Sequence, residues 1–160
     1  MKVYILRGIS GVGKSTYARH LKSIVADTLI CSADDEMDHG NGYQFDGRRV
    51  EDAHKNCLRK FIDGVQKRWS MIVLDNTNIL YHHFDYYIKI AEAFGYEVEI
   101  VTITVDPQVA AERTTHNVPL KSLLSRQKAL TDDIARTNIP ARIKQRTVCA
   151  GSPTWERWGR

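Results

Sequence analysis

The residues best suited to chemistry lie in one glycine-rich loop near the N-terminus. Residues 8–15 read GISGVGKS and match the pattern G-x-x-x-x-G-K-[ST]. Such glycines let main-chain N–H groups converge on phosphate oxygens, and a helix that follows directs its positive end at the same phosphates. The pattern predicts that Lys14 reaches the β- and γ-phosphates of a nucleoside triphosphate and that Ser15 binds Mg²⁺. The expected contacts with the triphosphate are Gly8, Ser10, Gly11, Val12, Gly13, Lys14, Ser15 and Thr16.

Acidic residues follow two further apolar segments of the chain. Asp34 and Asp35 lie in the stretch CSADDEMD, and Asp75 opens the stretch DNTN. A carboxylate in the first position can accept a proton from an attacking hydroxyl or orient that hydroxyl. Asp75 occupies the position from which an aspartate approaches Mg²⁺. Helix capping or a solvated turn is the alternative for Asp34 and Asp35, and capping is an alternative for Asn76, a candidate substrate contact.

A polar, basic segment, RTTHNVP, supplies cations later in the chain. It carries Arg113 and His116, and Lys121 and Arg126 follow it. A loop of this kind can close over a triphosphate and neutralise charge on the transferring phosphoryl group. The alternative is a solvated surface loop.

The elements that must position these residues alternate between strand and helix. Short apolar runs predict strands at Val3–Leu6, Thr28–Cys31, Met71–Leu74 and Val98–Val105. The first three are almost wholly apolar, as in strands covered on both faces, whereas Glu97 and Glu99 place the fourth nearer an edge. Helical patterns follow Lys14, run from Val50 to Val65 and from Leu80 to Ala91, and begin again at Pro107 and Pro119.

This alternation predicts an α/β fold, a parallel sheet with helices on both faces. Ligands bind such sheets beyond the C-terminal ends of the strands, where the candidate residues follow. In the last predicted helix Leu120, Leu123, Leu124 and Gln127 lie on one side, which is expected to face the core. His54 lies among the apolar stripe of the second helix and is expected to be a structural histidine.

Length and composition predict a single intracellular domain spanning residues 1–160. Of the 160 residues, 42% are hydrophobic and 26% charged, which is typical of a globular protein with one core. No apolar run approaches the ~20 residues of a membrane helix, and the first is too short for a signal peptide, so we expect a cytoplasmic location and no membrane partner. The net charge of +4 permits an anionic partner. The scattered Cys31, Cys57 and Cys149 predict reduced, buried thiols.

Taken together, the motifs resemble those of small P-loop kinases related to bacteriophage polynucleotide kinase, in the polynucleotide-kinase and zeta-toxin group of AAA-type ATP-binding domains. The shared segments, in the same order, are ILRGISGVGKST, SADD, YQFD with VEDAH, VLDNTN, FGYEVEIV and RTTHNVP. The resemblance covers about residues 1–130. It implies a three-layer P-loop fold with a small lid. It also implies transfer of the γ-phosphate of ATP to a hydroxyl, commonly the 5′-hydroxyl of DNA or RNA.

The resemblance also implies roles for individual residues. The implied catalytic residues are Lys14, Asp34 and Arg113, with Asp34 as the general base and Arg113 as a lid arginine. A second lid arginine has no clear counterpart, and His116 or Lys121 is the expected substitute.

One departure from the family pattern concerns the acceptor. Where the phage kinase holds the 3′-phosphate of its substrate with an arginine, this chain has Met37. Altered acceptor contacts are therefore expected in Glu36–Asp46, together with Asp35 and Arg48. The acceptor could instead be the hydroxymethyl group of a modified base in phage DNA, such as 5-hydroxymethyluracil, or a small metabolite. Outside the kinases, the alternative is a nucleotide-binding ATPase switch that acts on a protein partner.

The C-terminal segment 131–160 lies outside the resemblance. It is basic and carries Trp155 and Trp158. Such a segment could bind a nucleic-acid backbone and stack on bases. The alternative is a segment that packs on the sheet.

Overall fold

The computed structural model describes residues 1–35, 48–114 and 117–150. Within them the strands are β1 (Lys2–Arg7), β2 (Thr28–Cys31), β3 (Met71–Leu74), β4 (Glu97–Thr104) and β5 (Lys144–Cys149). All neighbouring strands pair in parallel, in the order β2-β3-β1-β4-β5. The predicted acceptor segment with Met37, the lid residue His116 and both tail tryptophans lie outside the described residues.

Five α-helices and one 3₁₀ turn connect these strands in the described part of the chain. They are α1 (Lys14–Ile24), α2 (Val50–Gln66), the 3₁₀ turn Tyr81–His83, α3 (Asp85–Ala93), α4 (Pro107–Arg113) and α5 (Leu120–Arg136). The Asp106 carboxylate accepts a hydrogen bond from the Gln108 N–H at 2.8 Å and so caps α4, as the Asp-Pro pair predicts.

The helices cover both faces of the sheet, which confirms the predicted α/β fold. One core cluster contains buried side chains of α2 and α3, together with Val3 and Ile5 of β1. The other contains buried side chains of α1, α4 and α5, together with Leu6. Successive residues of a strand point to opposite faces, so a strand covered on both sides must be apolar throughout.

The edge strand β5 is missing from the sequence-based prediction. Its sequence KQRTVC has no apolar run, and Val148 is its one buried residue. Unlike β2 at the other edge, which contacts α1 and α2, β5 exposes four of its six residues, so the hydrophobic pattern that predicts covered strands is weak here. Because β5 pairs with β4, part of the basic C-terminal segment belongs to the sheet itself, and β4 lies one strand in from its edge.

Two burial predictions are wrong. Leu120 and Leu124 are 38% and 51% exposed, whereas Leu123, predicted on the same side, is buried together with Leu130. These two buried residues are seven positions apart, on one side of the helix, and that side packs into the core cluster that contains Leu6 and Ala110. Cys149 is exposed.

A buried ion-pair network explains the glutamate in β4. Glu99 is 2% exposed, and its two carboxylate oxygens lie 2.6 Å from Lys2 Nζ and 2.6 Å from Arg146 Nε. The Arg146 guanidinium also donates a hydrogen bond to the Tyr17 hydroxyl at 2.5 Å. The network therefore joins β1, β4 and β5 to α1, and it holds the edge strand in place.

We expect Glu99→Gln to lower the free energy of unfolding by about 1–3 kcal/mol, because a neutral amide leaves two cations without their counter-charge. Urea denaturation measures the loss. Glu97→Gln, an exposed change on the same strand, is the matched control. Equal midpoints for the two variants would contradict a stabilising role of the network.

A second buried ion pair ties α5 to the C-terminal end of β1. Arg7 is 1% exposed, and its guanidinium lies 2.6 Å from Asp133 Oδ2. The same guanidinium donates to the carbonyls of Asn78 at 2.9 Å and Ile79 at 2.6 Å. The other oxygen of Asp133 accepts the Tyr81 N–H at 3.1 Å. This pair fixes the position of α5 relative to the loops that follow β1 and β3.

Candidate active site

A cavity of about 560 Å³ lies beyond the C-terminal ends of β1 and β3, where ligands of parallel sheets bind. Its lining includes the predicted phosphate contacts Ser10, Gly11, Val12, Gly13, Lys14, Ser15 and Thr16. The Val12 side chain is fully buried in the core, so this residue offers the cavity only its main chain. Gly8 lies at the base of the loop, where its N–H donates to the Thr77 carbonyl at 2.9 Å.

The N-terminus of α1 opens into this cavity. Gly13 precedes the helix with φ 95°, a conformation that favours glycine, and no side chain caps the first turn. The N–H groups of a helix's first turn have no partner within the helix and form its positive end. Gly11 is needed for packing as well, because a Cβ there would lie 2.1 Å from the Ala110 carbonyl oxygen of α4. The loop is thus an anion-binding cradle held against α4.

Lys14 is buried at the floor of the cradle. Its amine donates to the carbonyls of Gly8 at 3.1 Å and Ile9 at 2.9 Å. Burial lowers the pKa of Lys14 to about 8, while the carboxylates of Asp75 and Asp34 act in the opposite direction. The amine therefore lies close to both predicted acidic residues.

Asp75 and Ser15 fit a magnesium ion. Asp75 is 7% exposed, and burial raises its pKa, while a hydrogen bond with Ser15 and the charge of Lys14 oppose that shift. Its Oδ1 is buried and has no hydrogen-bond partner among the described residues. A buried carboxylate oxygen beside a hydroxyl is a suitable partner for Mg²⁺, which binds oxygen and takes few protein ligands when phosphates are present. Ser15 and Asp75 could therefore hold the metal.

Asp34 follows β2 and reaches the same cavity from the neighbouring strand. The side chain of Asn76 fixes this turn, since its Oδ1 accepts the Ala33 N–H at 2.9 Å and its Nδ2 donates to Cys57 Sγ at 3.5 Å. The Asp75 N–H also donates to the Cys31 carbonyl at 2.8 Å. Asn76 lines the cavity, but both ends of its amide are engaged within the protein, so it positions the backbone next to Asp34.

Of the other predicted site residues, some line the first cavity and some do not. Arg113 ends α4 and lines the cavity, and it has no hydrogen bond or ion pair with another described residue. Asp35 and Arg48 line neither cavity. The charge of Asp35 adds to the raised pKa of Asp75. Met37 and His116 lie outside the described residues.

A second cavity of about 620 Å³ adjoins the first. The residues that line both are Ser10, Asp34, Asn76 and Thr77. Asp34 thus lies at the junction of the two cavities. The remaining walls come from Ala33, residues 79–80, α2, the 3₁₀ turn, residues 117–119 and α5.

The second cavity contains residues that were not predicted to belong to the site. His54 is exposed and lines it, so its interpretation as a structural core histidine is wrong. His83 lines it as well. Arg126 lines it with Ser122 and Ala129, on one face of α5, whereas Lys121 lines neither cavity. Ser122 and Arg126 are polar and lie four residues apart, so they share one face of the helix. This spacing in the sequence indicates a polar face that can line a site.

Comparison of the sequence with known protein families identifies the family of this chain. Residues 3–117 match the family described as an AAA domain (AAA_33), a stretch that includes the phosphate loop, Asp34, Asp75 and Arg113. The chain belongs to this AAA domain family. It is also 26% identical over 157 residues to human NEDD4-binding protein 2, covering 92% of this chain and 9% of that protein's length.

Solved structures share the fold of this AAA domain. A gluconokinase from Sinorhizobium meliloti 1021 superposes with a TM-score of 0.60 at 17% identity, over 97% of this chain and 86% of that chain. A chain of the Pnkp1/Rnl/Hen1 RNA repair complex superposes with a TM-score of 0.69 at 16% identity, over 86% and 46%. The AAA domain therefore has the fold of the P-loop kinases. Among its described helices, none is long and apolar enough to cross a membrane.

We expect ATP to bind this AAA domain more weakly as the pH rises above 8. Without phosphates the pKa of Lys14 is about 8. Anionic phosphates beside the amine raise that pKa, so the complex binds more protons than the free protein and affinity falls with pH, by at most about tenfold per pH unit for one proton. Calorimetric titrations between pH 7 and pH 9.5, in two buffers of different ionisation enthalpy, measure both the affinity and the proton uptake.

Lys14→Ala is the control for that titration. It should bind ATP more weakly at pH 7 and lose the dependence on pH above 8. Unchanged ATP affinity in Lys14→Ala would contradict the assignment of the loop.

Proposed function

We propose that this AAA domain transfers the γ-phosphate of ATP to a hydroxyl group of a nucleic acid, in the manner of a polynucleotide 5′-hydroxyl kinase. The observation that carries the proposal is the position of Asp34 at the junction of two adjoining cavities. The first cavity has the residues that a triphosphate requires. The second leaves room for an acceptor on the other side of Asp34. A hydrolase or a switch has no need of this second compartment.

The residues of the first cavity have different roles in phosphoryl transfer. The α1 N-terminus and Lys14 bind and orient the phosphates, and Ser15 and Asp75 hold Mg²⁺, which supplies further charge neutralisation when bound. Arg113 adds a cation at the rim, where α4 ends beside the loop. Phosphoryl transfer has a loose transition state, so positioning and charge neutralisation contribute more than base strength.

Asp34 acts on the hydroxyl group of the acceptor. Its carboxylate orients the acceptor hydroxyl and takes the proton as the new bond between that oxygen and the γ-phosphorus forms. The bond between the γ-phosphorus and the β–γ bridging oxygen breaks, and ADP leaves with the bridging oxygen. Asn76 supports this step, because its hydrogen bond to the Ala33 N–H holds the turn that carries Asp34.

The walls of the second cavity support a nucleic-acid acceptor over a sugar acid. They are largely apolar, and two histidine rings lie among them. A nucleobase gains from apolar and ring contacts, whereas a polyhydroxyl acid requires hydrogen bonds along its whole length. The folds shared with a gluconokinase and with an RNA repair complex are compatible with either acceptor. ATP in the cytoplasm would be the phosphate donor, and DNA and RNA are both candidate acceptors.

Transfer of radiolabel from [γ-³²P]ATP tests the proposal. The purified protein is incubated with Mg²⁺ and, separately, with 5′-hydroxyl DNA, 5′-hydroxyl RNA, DNA containing 5-hydroxymethyluracil, and gluconate. We expect label on a 5′-hydroxyl oligonucleotide. Label on the modified base alone, or on gluconate alone, would replace the proposed acceptor. Release of inorganic phosphate without any labelled acceptor, stimulated by a protein partner, would favour an ATPase switch.

A further inference from the structure

Two side chains hold the turn that carries Asp34. Asn76 Oδ1 accepts the Ala33 N–H at 2.9 Å, and the Ser32 hydroxyl accepts the Asp34 N–H at 3.2 Å. Both side chains hold main-chain groups, so they fix the path of the backbone as it leaves β2. The place of the Asp34 carboxylate at the junction of the two cavities therefore depends on what keeps these side chains in position.

The Asn76 amide can take only one orientation against its two partners. The Ala33 N–H is a donor and must face the amide oxygen, which turns the amide nitrogen toward the Cys57 thiol, 3.5 Å away. The reverse orientation would set the NH₂ group against the Ala33 N–H, donor against donor. The thiol sulfur is therefore the acceptor that matches the orientation the turn requires.

The Cys57 thiol lies behind the site, outside both cavities. Cys57 is 0% exposed, belongs to the core cluster that also contains Ala33 and Leu74, and lines neither cavity. His54, one turn earlier on α2, does line the second cavity. A ligand in either cavity does not reach Cys57, so an effect of this residue on the reaction passes through Asn76.

The surroundings of the thiol offer little to replace it. The nearby Tyr87 hydroxyl is buried and has no hydrogen-bond partner of normal geometry among the described residues. Burial raises the pKa of Tyr87, and the Cys57 thiol adds to that shift. A buried amide donor that loses its acceptor is costly, because no water replaces the lost partner. Without the thiol, the Asn76 side chain is expected to leave its position and release the Ala33 N–H.

We propose that Cys57 is a positioning residue for phosphoryl transfer, whose thiol accepts the Asn76 amide and so holds the turn that presents Asp34 to the acceptor hydroxyl. This inference rests on the proposed function, because that function assigns to Asp34 the proton of the acceptor. The property of Cys57 that matters is its lone pair rather than its apolar volume. A hydroxyl in its place would preserve the arrangement, since it too accepts a hydrogen bond.

Three substitutions of Cys57 separate hydrogen bonding from packing. Cys57→Ser keeps an acceptor, Cys57→Val keeps apolar volume without an acceptor, and Cys57→Ala keeps neither. NMR on the protein without nucleotide measures the exchange of the Ala33 amide hydrogen, relative to the amide of Val73 in the core of β3. We expect this ratio to rise about tenfold in Cys57→Val and Cys57→Ala and to stay at the wild-type value in Cys57→Ser. A role in packing alone predicts the reverse order, with Cys57→Val closest to wild type.

The transfer assay tests whether the turn matters for catalysis. Cys57→Val and Cys57→Ala should lower kcat about tenfold, since a displaced carboxylate no longer meets the acceptor hydroxyl. Affinity for a non-hydrolysable ATP analogue should stay unchanged, because the phosphate loop does not bond to Asn76. Cys57→Ser should keep the wild-type kcat. Val65→Ala, on the same buried face of α2 two turns further along, is the matched control and should change neither readout.

Several outcomes would overturn the inference. A wild-type exchange ratio for Ala33 in Cys57→Val would do so, as would an equal rise in Cys57→Ser or in Val65→Ala. Loss of ATP-analogue binding in Cys57→Val would also contradict it, because the effect would then lie in the phosphate site.

The two readouts separate this inference from the proposed function. If Ala33 exchange rises in Cys57→Val but kcat on an oligonucleotide does not change, the positioning role is wrong and the kinase stands. If the exchange ratios follow the expected order but no nucleic-acid hydroxyl receives phosphate, the proposed reaction is wrong and the role of Cys57 in holding the turn stands.

Discussion

Asp34→Asn is expected to lower the rate of phosphate transfer by about 10²–10⁴-fold while ATP affinity stays nearly unchanged. Asparagine keeps the size of the side chain and can still orient a hydroxyl, but it cannot take the proton that the acceptor releases. Asp34 lies at the junction of the two cavities, and its charge raises the pKa values of Lys14 and Asp75. Removing that charge should not weaken a bound triphosphate.

The measurement is a pair of titrations on one preparation. Radiolabel transfer at saturating acceptor gives kcat, and calorimetry with a non-hydrolysable analogue gives the affinity for ATP. Asp63→Asn, an exposed change on α2, controls for the loss of a carboxylate elsewhere. Normal turnover in Asp34→Asn would remove this residue from catalysis. Lost ATP binding would indicate instead that Asp34 supports the phosphate site.

Asp133→Ala is expected to lower the free energy of unfolding by about 3–5 kcal/mol, because it leaves a buried guanidinium without its counter-charge. Arg7 is 1% exposed, and burial lowers its pKa while Asp133 opposes that shift. The two carbonyls that Arg7 also binds satisfy its hydrogen bonds but not its charge. The Tyr81 N–H loses its acceptor in the same variant. Urea denaturation followed by circular dichroism measures the change.

The neighbouring residue provides a matched control for this variant. Asp132 lies beside Asp133 on α5 and pairs with Lys128 in solvent, so Asp132→Ala should change the unfolding midpoint little. Arg7→Met combined with Asp133→Leu should recover part of the loss, since no unpaired charge then remains buried. A midpoint for Asp133→Ala close to that of Asp132→Ala would show that the pair contributes little to the position of α5.

Much of the site follows from local sequence because its parts obey local rules. The G-x-x-x-x-G-K-S pattern determines a loop, a left-handed Gly13 and a helix start, all within ten residues. Asp34 and Asp75 follow apolar runs, and parallel strands end at one edge of a sheet, so both meet Lys14 there. Four strands were predicted correctly because each contains a short apolar run in the local sequence.

The errors occur where the deciding partner is far away in sequence. His54 appears in a core stripe, but α2 faces the second cavity at that position. Leu120 and Leu124 resemble core residues, but the rotation of α5 is set by Leu123, Leu130 and the ion pair of Asp133 with Arg7. The polar strand β5 is held by pairing with β4 and by Arg146 on Glu99, neither of which leaves a local hydrophobic pattern.

The sequence by itself determined that this protein has a phosphate-binding loop, a parallel sheet and two acidic strand ends, because each depends on residues within a few positions of one another. Only the tertiary structure decided that a second cavity adjoins the first, and that Arg126 rather than Lys121 lines it. The physical reason is that the residues lining this cavity come from positions as far apart in the chain as Ser10 and Ala129. Packing and the buried pair of Arg7 with Asp133 fix how the elements that carry them lie.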